Sequence, residues 1–218
     1  MRLINARPSP YGRKVAVALL EKRLTFEVQF DVPWGAETCV PDYNPLEQLP
    51  ILILDDGRAI YDSTYILEWL ERKHPQPNLL PTDIDELLDA KLLQVLAERL
   101  HEFARTMVFE LQRNEPSQSW VDRHARKIRR GLSELERLVG DRRPTTFDPI
   151  TLGDIAVGTT LQVWPFMIAN NLVPDLPVLN WRDAHPNLVC FVDALEDRSS
   201  FQSTRPQMMD VDLKAVTA

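Results

Sequence analysis

The chain has 218 residues, of which 44% are hydrophobic and 26% charged, and it carries a formal net charge of −7. This composition is ordinary for a globular protein, and the length suits one large or two small domains. The negative charge disfavours sequence-independent binding of nucleic acid, which needs clustered Lys and Arg side chains, and no apolar run approaches the length expected of a membrane span.

Short strands and helices alternate in the first third of the chain. Residues 2–6 are predicted to form a strand, and residues 10–22 a helix with a proline suited to its first turn. Residues 25–30 alternate apolar and polar side chains, which predicts a second, half-buried strand. A loop over residues 31–48 follows, with a short irregular helix expected near residues 36–43.

A hairpin is the clearest local signal in this part. Two apolar stretches, residues 51–54 and 58–61, flank a turn that ends in Asp-Gly. Residues 62–73 are then predicted to form a helix that opens with Asp62-Ser63 and is closed by a proline-rich segment. These elements together predict a small mixed sheet with helices on its faces.

The remainder of the chain shows a helical pattern throughout. The first long helix is marked by spaced apolar residues: Leu88, Leu92, Val95, Leu96, Leu100 and Phe103. The second is marked in the same way by Val121, Ile128, Leu132, Leu135 and Leu138. A third begins where Thr151 and Asp154 match a capping box, and two more are expected over residues 186–197 and around Phe201.

This change of pattern predicts two domains. An α/β module occupies residues 1–76, a proline-containing linker residues 77–84, and an all-helical module residues 85–218. The chain shows no internal repeat and no low-complexity tract.

The two cysteines, Cys39 and Cys190, are far apart and outside any C-x-x-C spacing. They cannot form a disulfide framework and supply no thiolate set for zinc, so we expect no metal site. Cys190 lies in an apolar helical stretch and is predicted to be buried, while Cys39 lies in a loop with no positive charge nearby and is predicted to be unreactive. Because the first residues also lack the features of a secretory signal, we expect a cytoplasmic protein.

The turn Ser9-Pro10-Tyr11-Gly12 is the most informative segment for chemistry. It matches the C-P-Y-C active-site turn of glutaredoxins with both cysteines replaced. A helix N-terminus favours a thiolate through its unpaired N–H groups and its dipole. The Ser9 hydroxyl is therefore placed to donate a hydrogen bond to a sulfur that a ligand supplies. Taken alone, however, the turn favours the simpler interpretation of Ser9 as a helix N-cap.

Two further segments favour a ligand-binding role for Ser9 over helix capping alone. Leu49-Pro50 directly precedes a strand, where thioredoxin-like folds carry a cis-proline, so the Leu49 backbone is expected to face an extended ligand. Asp62-Ser63 lies where a strand ends and a helix begins. There the Asp suits an ammonium group, and the Ser hydroxyl with the helix amides suits a carboxylate. These are the two charged ends of an α-amino acid, although both residues also cap helices commonly.

Taken together, these motifs resemble those of the glutathione transferase family. The resemblance rests on five segments in family order: residues 9–15, 44–50, 62–64, 151–161 and 185–204. It implies the glutathione transferase fold, an α/β thioredoxin-like N-terminal domain followed by an all-α C-terminal domain. With Ser9 in the catalytic position, the chain is most similar to serine-type and bacterial transferase-like members.

The resemblance also implies how glutathione is used. The peptide would bind as a co-substrate along the sheet edge, with no metal, and Ser9 would stabilise its thiolate for attack on a small electrophile in detoxification. The implied glutathione-binding residues are Ser9, Tyr11, Gln48, Leu49, Pro50, Asp62 and Ser63, and the glycine end would reach the loop that contains Trp34. Candidates for lining the electrophile cleft are Tyr11, Phe103, Met107 and Trp164, of which the last three equally suit a helix core. The family further implies a homodimer.

The chain departs from the family pattern just before Pro50, where Glu47 and Gln48 replace Gly and Lys. Loss of the Lys removes a cation that would meet a glutathione carboxylate. This keeps open a second interpretation, a transferase-like glutathione-binding or regulatory protein without conjugating activity. A glutathione-dependent thiol reductase is a third, disfavoured because Ser9 cannot form the covalent sulfur intermediate that a Cys forms.

Overall fold

The computed structural model describes residues 1–209 and contains one four-stranded mixed sheet. The strands are β1 Arg2–Asn5, β2 Glu27–Phe30, β3 Ile51–Ile53 and β4 Ala59–Tyr61. β1 pairs with β2 in parallel and with β3 in antiparallel orientation, and β3 pairs with β4 in antiparallel orientation. The predicted strands and hairpin are therefore present, each within two residues of its expected bounds.

Three helices accompany the sheet, and five form the second half of the described chain. The first group is α1 Pro10–Glu21, α2 Val40–Tyr43 and α3 Ser63–Lys73. The second group is α4 Ile84–Leu111, α5 Gln118–Val139, α6 Leu152–Ala169, α7 Pro186–Glu196 and α8 Ser199–Gln202, with a 3₁₀ turn at Arg182–Ala184. This arrangement confirms the predicted fold class.

The segment between α3 and α4 contains neither helix nor strand. We propose it as the boundary between the two domains, in agreement with the expected linker over residues 77–84. Lys22, the residue after α1, holds the start of this segment in place. Its buried Nζ pairs with Glu71 and donates to the carbonyl oxygens of His74 and Pro77. The last nine residues of the expected C-terminal domain, 210–218, lie outside the described part of the chain.

Buried ion pairs connect α1 to the helical half. Arg13 pairs with Glu196 of α7 at 2.6 Å, and Lys14 pairs with Glu98 of α4. Farther along α1, Glu21 accepts two hydrogen bonds from Arg198, at 3.0 and 2.9 Å. Charges taken out of water are tolerated only when they are paired, so these contacts set the position of α1 against the second domain.

The contact between α4 and α6 is unusually close because small residues line it. Ala90, Ala97 and Ala104 recur every seven residues on the buried face of α4. On the α6 side, a Cβ placed on Gly153 would lie 2.3 Å from the carbonyl oxygen of Ala90. The α6 helix begins as predicted: Thr151 Oγ1 accepts from the Asp154 amide at 3.1 Å, and Asp154 accepts from the Thr151 amide at 2.8 Å.

The expected core face of α4 is partly wrong. Leu88, Leu92 and Val95 are 57%, 42% and 53% exposed, whereas Leu93 and Leu100 are buried. The helix carries apolar residues on two faces, and periodicity alone does not tell which of them packs against the rest of the same chain.

Two further expectations about burial are also wrong. The strand β2 is an exposed edge rather than half-buried, because both Val28 and Phe30 remain accessible. Cys190 is exposed rather than buried, since the buried residues of α7 lie on another face of that helix, which includes Leu188 and Phe191. In both segments the apolar residues occur in the expected places, but the neighbouring elements cover only part of them.

The α6 helix is long and apolar enough to cross a membrane by length and composition, contrary to the expectation that no segment approaches this limit. However, 67% of this 18-residue window is buried inside the protein. Such burial is typical of the central helix of a helical domain, which is apolar on all sides because other helices surround it.

The substitution Gly153→Ala is expected to lower the free energy of unfolding by about 1–3 kcal/mol. The added methyl group would meet a backbone oxygen that cannot rotate away. Gly131→Ala on α5 is the matched control, because its methyl group would meet only the end of the Leu100 side chain, at 2.5 Å. Urea unfolding measures the free energy of unfolding of both variants. Equal losses in the two would contradict the close backbone contact between α4 and α6.

Candidate functional site

The three segments singled out by the sequence meet at one edge of the sheet. The end of β1, the start of β3 and the end of β4 share the same rows of the strand register. Ser9 follows β1, Leu49-Pro50 precedes β3, and Asp62-Ser63 follows β4. The fold therefore brings together residues that are more than 50 positions apart in sequence.

Ser9 uses only one side of its hydroxyl to cap α1. Its Oγ accepts a hydrogen bond from the Gly12 amide at 3.3 Å, as an N-cap residue does. The hydroxyl proton has no acceptor among residues 1–209 and remains available for donation to a ligand. A Cβ on Gly12 would overlap the Asn5 side chain, 1.5 Å from Oδ1, so the position of the second glutaredoxin cysteine has no room for a side chain.

The bond between Leu49 and Pro50 is cis. The backbone N–H and C=O of Leu49 form no hydrogen bond with any part of the chain that the structure describes. Asn44, which is buried, organises the preceding loop: its Nδ2 donates to the Gln48 carbonyl at 2.7 Å and its Oδ1 accepts from the Leu46 amide at 2.9 Å. The Gln48 side chain is exposed at the surface of this loop.

Asp62 has a strained backbone and a half-used carboxylate. Its φ of +66° lies in a region that non-glycine residues rarely adopt, and such outliers concentrate at functional sites. The Oδ1 atom accepts from the amides of Thr64 and Tyr65, at 2.8 and 3.1 Å, which caps α3. The Oδ2 atom accepts no hydrogen bond from residues 1–209, and neither does the Ser63 hydroxyl donate one to them.

Tyr11 lies on the α4 side of Ser9, half-buried against His101. The two rings meet edge to face with centroids 5.2 Å apart. Burial raises the pKa of the Tyr11 phenol above its usual range, so it stays protonated. Burial, assisted by the charge of Arg105, lowers the pKa of His101 to about 3. The neutral imidazole accepts from Trp164 Nε1 at Nδ1, at 3.4 Å, which places its own proton on Nε2.

Glu98 of α4 joins both domains next to this site, and its role was missed by the sequence analysis. Its carboxylate receives Lys14 from α1, Thr64 from α3 at 3.3 Å, and Gln94 at 3.0 Å. Burial lowers the pKa of Lys14, while the charges of Glu98 and Asp62 act in the opposite direction. No local signal marks Glu98, because its partners come from distant parts of the chain.

The candidate cleft residues from the second domain separate into two groups. Met107 and Trp164 are each 1% exposed and belong to the core. Phe103 is half-buried and turned toward α5, with Lys127 Nζ 4.5 Å from its ring centroid. Instead, the charges acting on Tyr11 are those of α4 residues Glu98, Arg99, Glu102 and Arg105. The α4 side of Tyr11 therefore carries charged residues that were not among the expected cleft candidates.

The loop after β2 contains Cys39 and Trp34. The Cys39 thiol donates to Asp31 at 3.0 Å, and both burial and that neighbouring carboxylate raise its pKa, in agreement with the predicted lack of reactivity. Trp34 is 44% exposed. Within residues 1–209, no group of three or more His, Cys, Asp or Glu side chains is placed to hold a metal ion.

Comparison with known families gives two matches that follow the two halves of the fold. Residues 8–73 match the model of the glutathione S-transferase N-terminal domain, and residues 118–194 that of the C-terminal domain. A GST-like protein of Escherichia coli K12, YibF, itself uncharacterized, is 32% identical over 208 residues, which covers 94% of this chain and 98% of the relative.

Solved structures of glutathione S-transferases have the same fold as this chain. A glutathione S-transferase from Methylobacterium radiotolerans, in complex with glutathione sulfonate, is 46% identical and superimposes with a TM-score of 0.86 over 97% of both chains. A second, from Methylobacillus flagellatus with glutathione bound, is 31% identical with a TM-score of 0.82, covering 94% of this chain and 99% of that one.

The buried His101 predicts a pH dependence of stability. Below its usual pKa, near 6.5, the unfolded chain binds a proton that the folded chain excludes until about pH 3. Stability should therefore fall as the pH drops through this window, by up to about 1.4 kcal/mol per unit. His101→Gln keeps an acceptor for Trp164 but cannot titrate, so it should flatten this loss in urea unfolding at a series of pH values. His74→Gln is the control, and an equal flattening there would contradict the assignment.

Proposed function

The chain belongs to the glutathione S-transferase family, and we propose that it conjugates the thiol of glutathione to a small electrophile. One observation carries this proposal: the Ser9 hydroxyl proton is unused at the N-terminus of α1, while its oxygen caps the helix. The relatives with glutathione sulfonate or glutathione bound, which share the fold over nearly the whole chain, support the choice of ligand.

In the proposed complex the tripeptide lies along the sheet edge. The unpaired Leu49 backbone would bond to its cysteinyl part in extended form, next to Pro50. At the γ-glutamyl end, the free Oδ2 of Asp62 would receive the ammonium group, and the Ser63 hydroxyl with the first amides of α3 would receive the carboxylate. Gln48, exposed on its loop, and Trp34 would lie toward the glycine end.

Ser9 would act as a stabiliser and not as a nucleophile. Its O–H would donate to the glutathione sulfur, and the α1 N-terminus would add its dipole, so that the thiolate forms more readily. The thiolate then donates its electron pair to an electrophilic carbon, which forms a thioether and releases a leaving group or places the charge on the acceptor. Tyr11, beside Ser9 and protonated, would line the electrophile side of the site.

The substituted loop favours a second candidate function. Glu47 and Gln48 are both exposed just before the cis-proline, and they supply no cation for a glutathione carboxylate. A protein that binds glutathione or regulates a partner without conjugation would tolerate this change. A thiol reductase has less support, because Ser9 has no sulfur and the Cys39 thiol is held by Asp31.

We also propose that the chain forms a homodimer through the apolar face left open on α4. Ile84, Leu88, Leu92 and Val95 form one exposed stripe on this helix, and Tyr65 on α3 is exposed as well. An open stripe of this kind is typical of a surface that another protein covers. It would let the N-terminal domain of one subunit meet the helical domain of its partner. A cytoplasmic location belongs to the same proposal and is in keeping with the two free cysteines.

The variant Ser9→Ala tests the catalytic proposal. Loss of the hydroxyl should raise the pKa of the bound glutathione thiol by about one to two units, because a hydrogen bond to a charged group is worth about 1.5–3 kcal/mol. The thiolate absorbance of the complex across a pH series measures this, together with turnover of a panel of electrophiles. Unchanged turnover in the variant would remove Ser9 from the mechanism.

A control separates this role of Ser9 from helix capping. Ser9→Asn retains an oxygen that can accept from the Gly12 amide, so it should preserve the stability of the fold, which Ser9→Ala lowers by about 1 kcal/mol. Calorimetry with glutathione completes the test. Binding by the wild-type protein without turnover of any electrophile would favour the binding or regulatory function.

The double variant Leu88→Glu/Leu92→Glu tests the dimer. It should sediment at the monomer mass of 25.1 kDa, while the wild-type protein sediments at twice that value, because buried like charges would face each other across the contact. Phe147→Glu, which changes an exposed phenylalanine between α5 and α6 and not on α4, should leave the mass unchanged. A wild-type protein that sediments as a monomer at micromolar concentration would contradict the proposal.

A further inference from the structure

An open cleft of about 80 Å³ lies on the opposite side of β1 from the proposed glutathione site. It is formed by the β1–β2 side of the sheet, by α1 and by the segment that follows α8, and it has room for several water-sized groups. None of Ser9, Leu49, Asp62 or Ser63 lines it. The cleft is therefore separate from the site described above.

The lining of this cleft is basic. Three arginines, Arg7, Arg13 and Arg205, border it, and no acidic residue does. Among residues 1–209, Glu196 pairs with Arg13 at 2.6 Å and with Arg205 at 3.4 Å. Three guanidinium groups thus share one carboxylate among residues 1–209, which leaves the cleft with two positive charges in excess.

Arg13 also has donors without partners. It is 3% exposed, and its Nε and Nη1 atoms bond to no atom of residues 1–209, although Nη2 reaches Glu196 and the Phe201 carbonyl. A buried donor without an acceptor is costly and rare in folded proteins. Both unpaired atoms are closed to solvent, so Arg13 contributes its positive charge, rather than these two donors, to the cleft that it borders.

The remaining polar groups of the cleft favour an anion held by arginine. The hydroxyls of Ser203 and Thr204 already donate to helix carbonyls, at 2.8 Å each, so they offer no proton to a ligand. Arg7 is held in place by stacking on Phe30, 4.1 Å from the ring centroid, and by a hydrogen bond to Gln207. Its guanidinium is therefore oriented before any ligand arrives.

We propose that this cleft binds a phosphate group, either free or at the end of a small phosphomonoester. A phosphate carries about 1.5 to 2 negative charges at neutral pH and offers several acceptor oxygens, which match the excess positive charge and the exposed guanidinium groups of Arg7 and Arg205. Bound phosphate would connect Arg7 and Arg13 of the N-terminal domain to Arg205 after α8. It would therefore stabilise the contact between the N-terminal domain and the segment that follows α8.

Titration of the full-length protein with inorganic phosphate and with glycerol phosphate, at constant ionic strength set by chloride, tests this proposal. Calorimetry should show saturable binding, and the melting temperature should rise with phosphate concentration. Arg7→Gln and Arg205→Gln should each weaken binding by about tenfold. Both residues are exposed, so the variants should remain folded. Arg58→Gln, which changes an exposed arginine on the β3–β4 hairpin, is the matched control and should bind as the wild type does.

The outcomes separate clearly. Saturable binding of either compound supports the proposal. The compound that binds more tightly, inorganic phosphate or glycerol phosphate, identifies the source of the phosphate group. The absence of saturable binding by both would overturn it, as would affinities that are unchanged in Arg7→Gln and Arg205→Gln. Equal affinity for sulfate and phosphate would overturn the assignment of phosphate as the ligand. Because the readout is binding at a cleft separate from Ser9, the result does not depend on conjugating activity.

Discussion

The position of α1 depends on two buried cations that follow one another in the sequence, and the rest of the structure depends on α1. Arg13 and Lys14 point to different parts of the second domain, one to Glu196 and the other to Glu98. Neither cation is stable in the interior without its carboxylate, because the desolvation of an unpaired charge costs several kcal/mol. The helix that begins at the candidate thiol site is therefore held by the domain that would bind the electrophile.

The same ion pairs fix the positions of the residues in the candidate site. Ser9 is the N-cap of α1, so the ion pairs that hold the helix also hold the hydroxyl. Glu98 extends the same network to Thr64, just after the strained Asp62. The residues of the site share another property: each uses one polar atom for the fold and leaves another unpaired. Ser9 accepts from an amide but keeps its proton, and Asp62 caps α3 with one oxygen while the other is free.

Features that depend on neighbouring residues could be predicted well from the sequence. The β3–β4 hairpin, the capping box at Thr151 and the N-cap of α1 all follow from short-range steric and hydrogen-bonding preferences. The meeting of Ser9, Leu49-Pro50 and Asp62-Ser63 at one sheet edge was also within reach, through the family resemblance and the order of the strands. These motifs and their order along the chain identify the family and the fold.

The sequence by itself determined which segments become helices and strands, and where the candidate thiol site begins, because those outcomes are set by local preferences. Only the tertiary structure decided which apolar face of α4 stays open, that Cys190 is exposed, and which carboxylates the cations of α1 meet. The partners of Arg13 and Lys14 lie 183 and 84 positions away, and periodicity carries no information about such distant contacts. The turn at Ser9 thus supplies the chemical groups, and the packing of α1 between the two domains decides where they point.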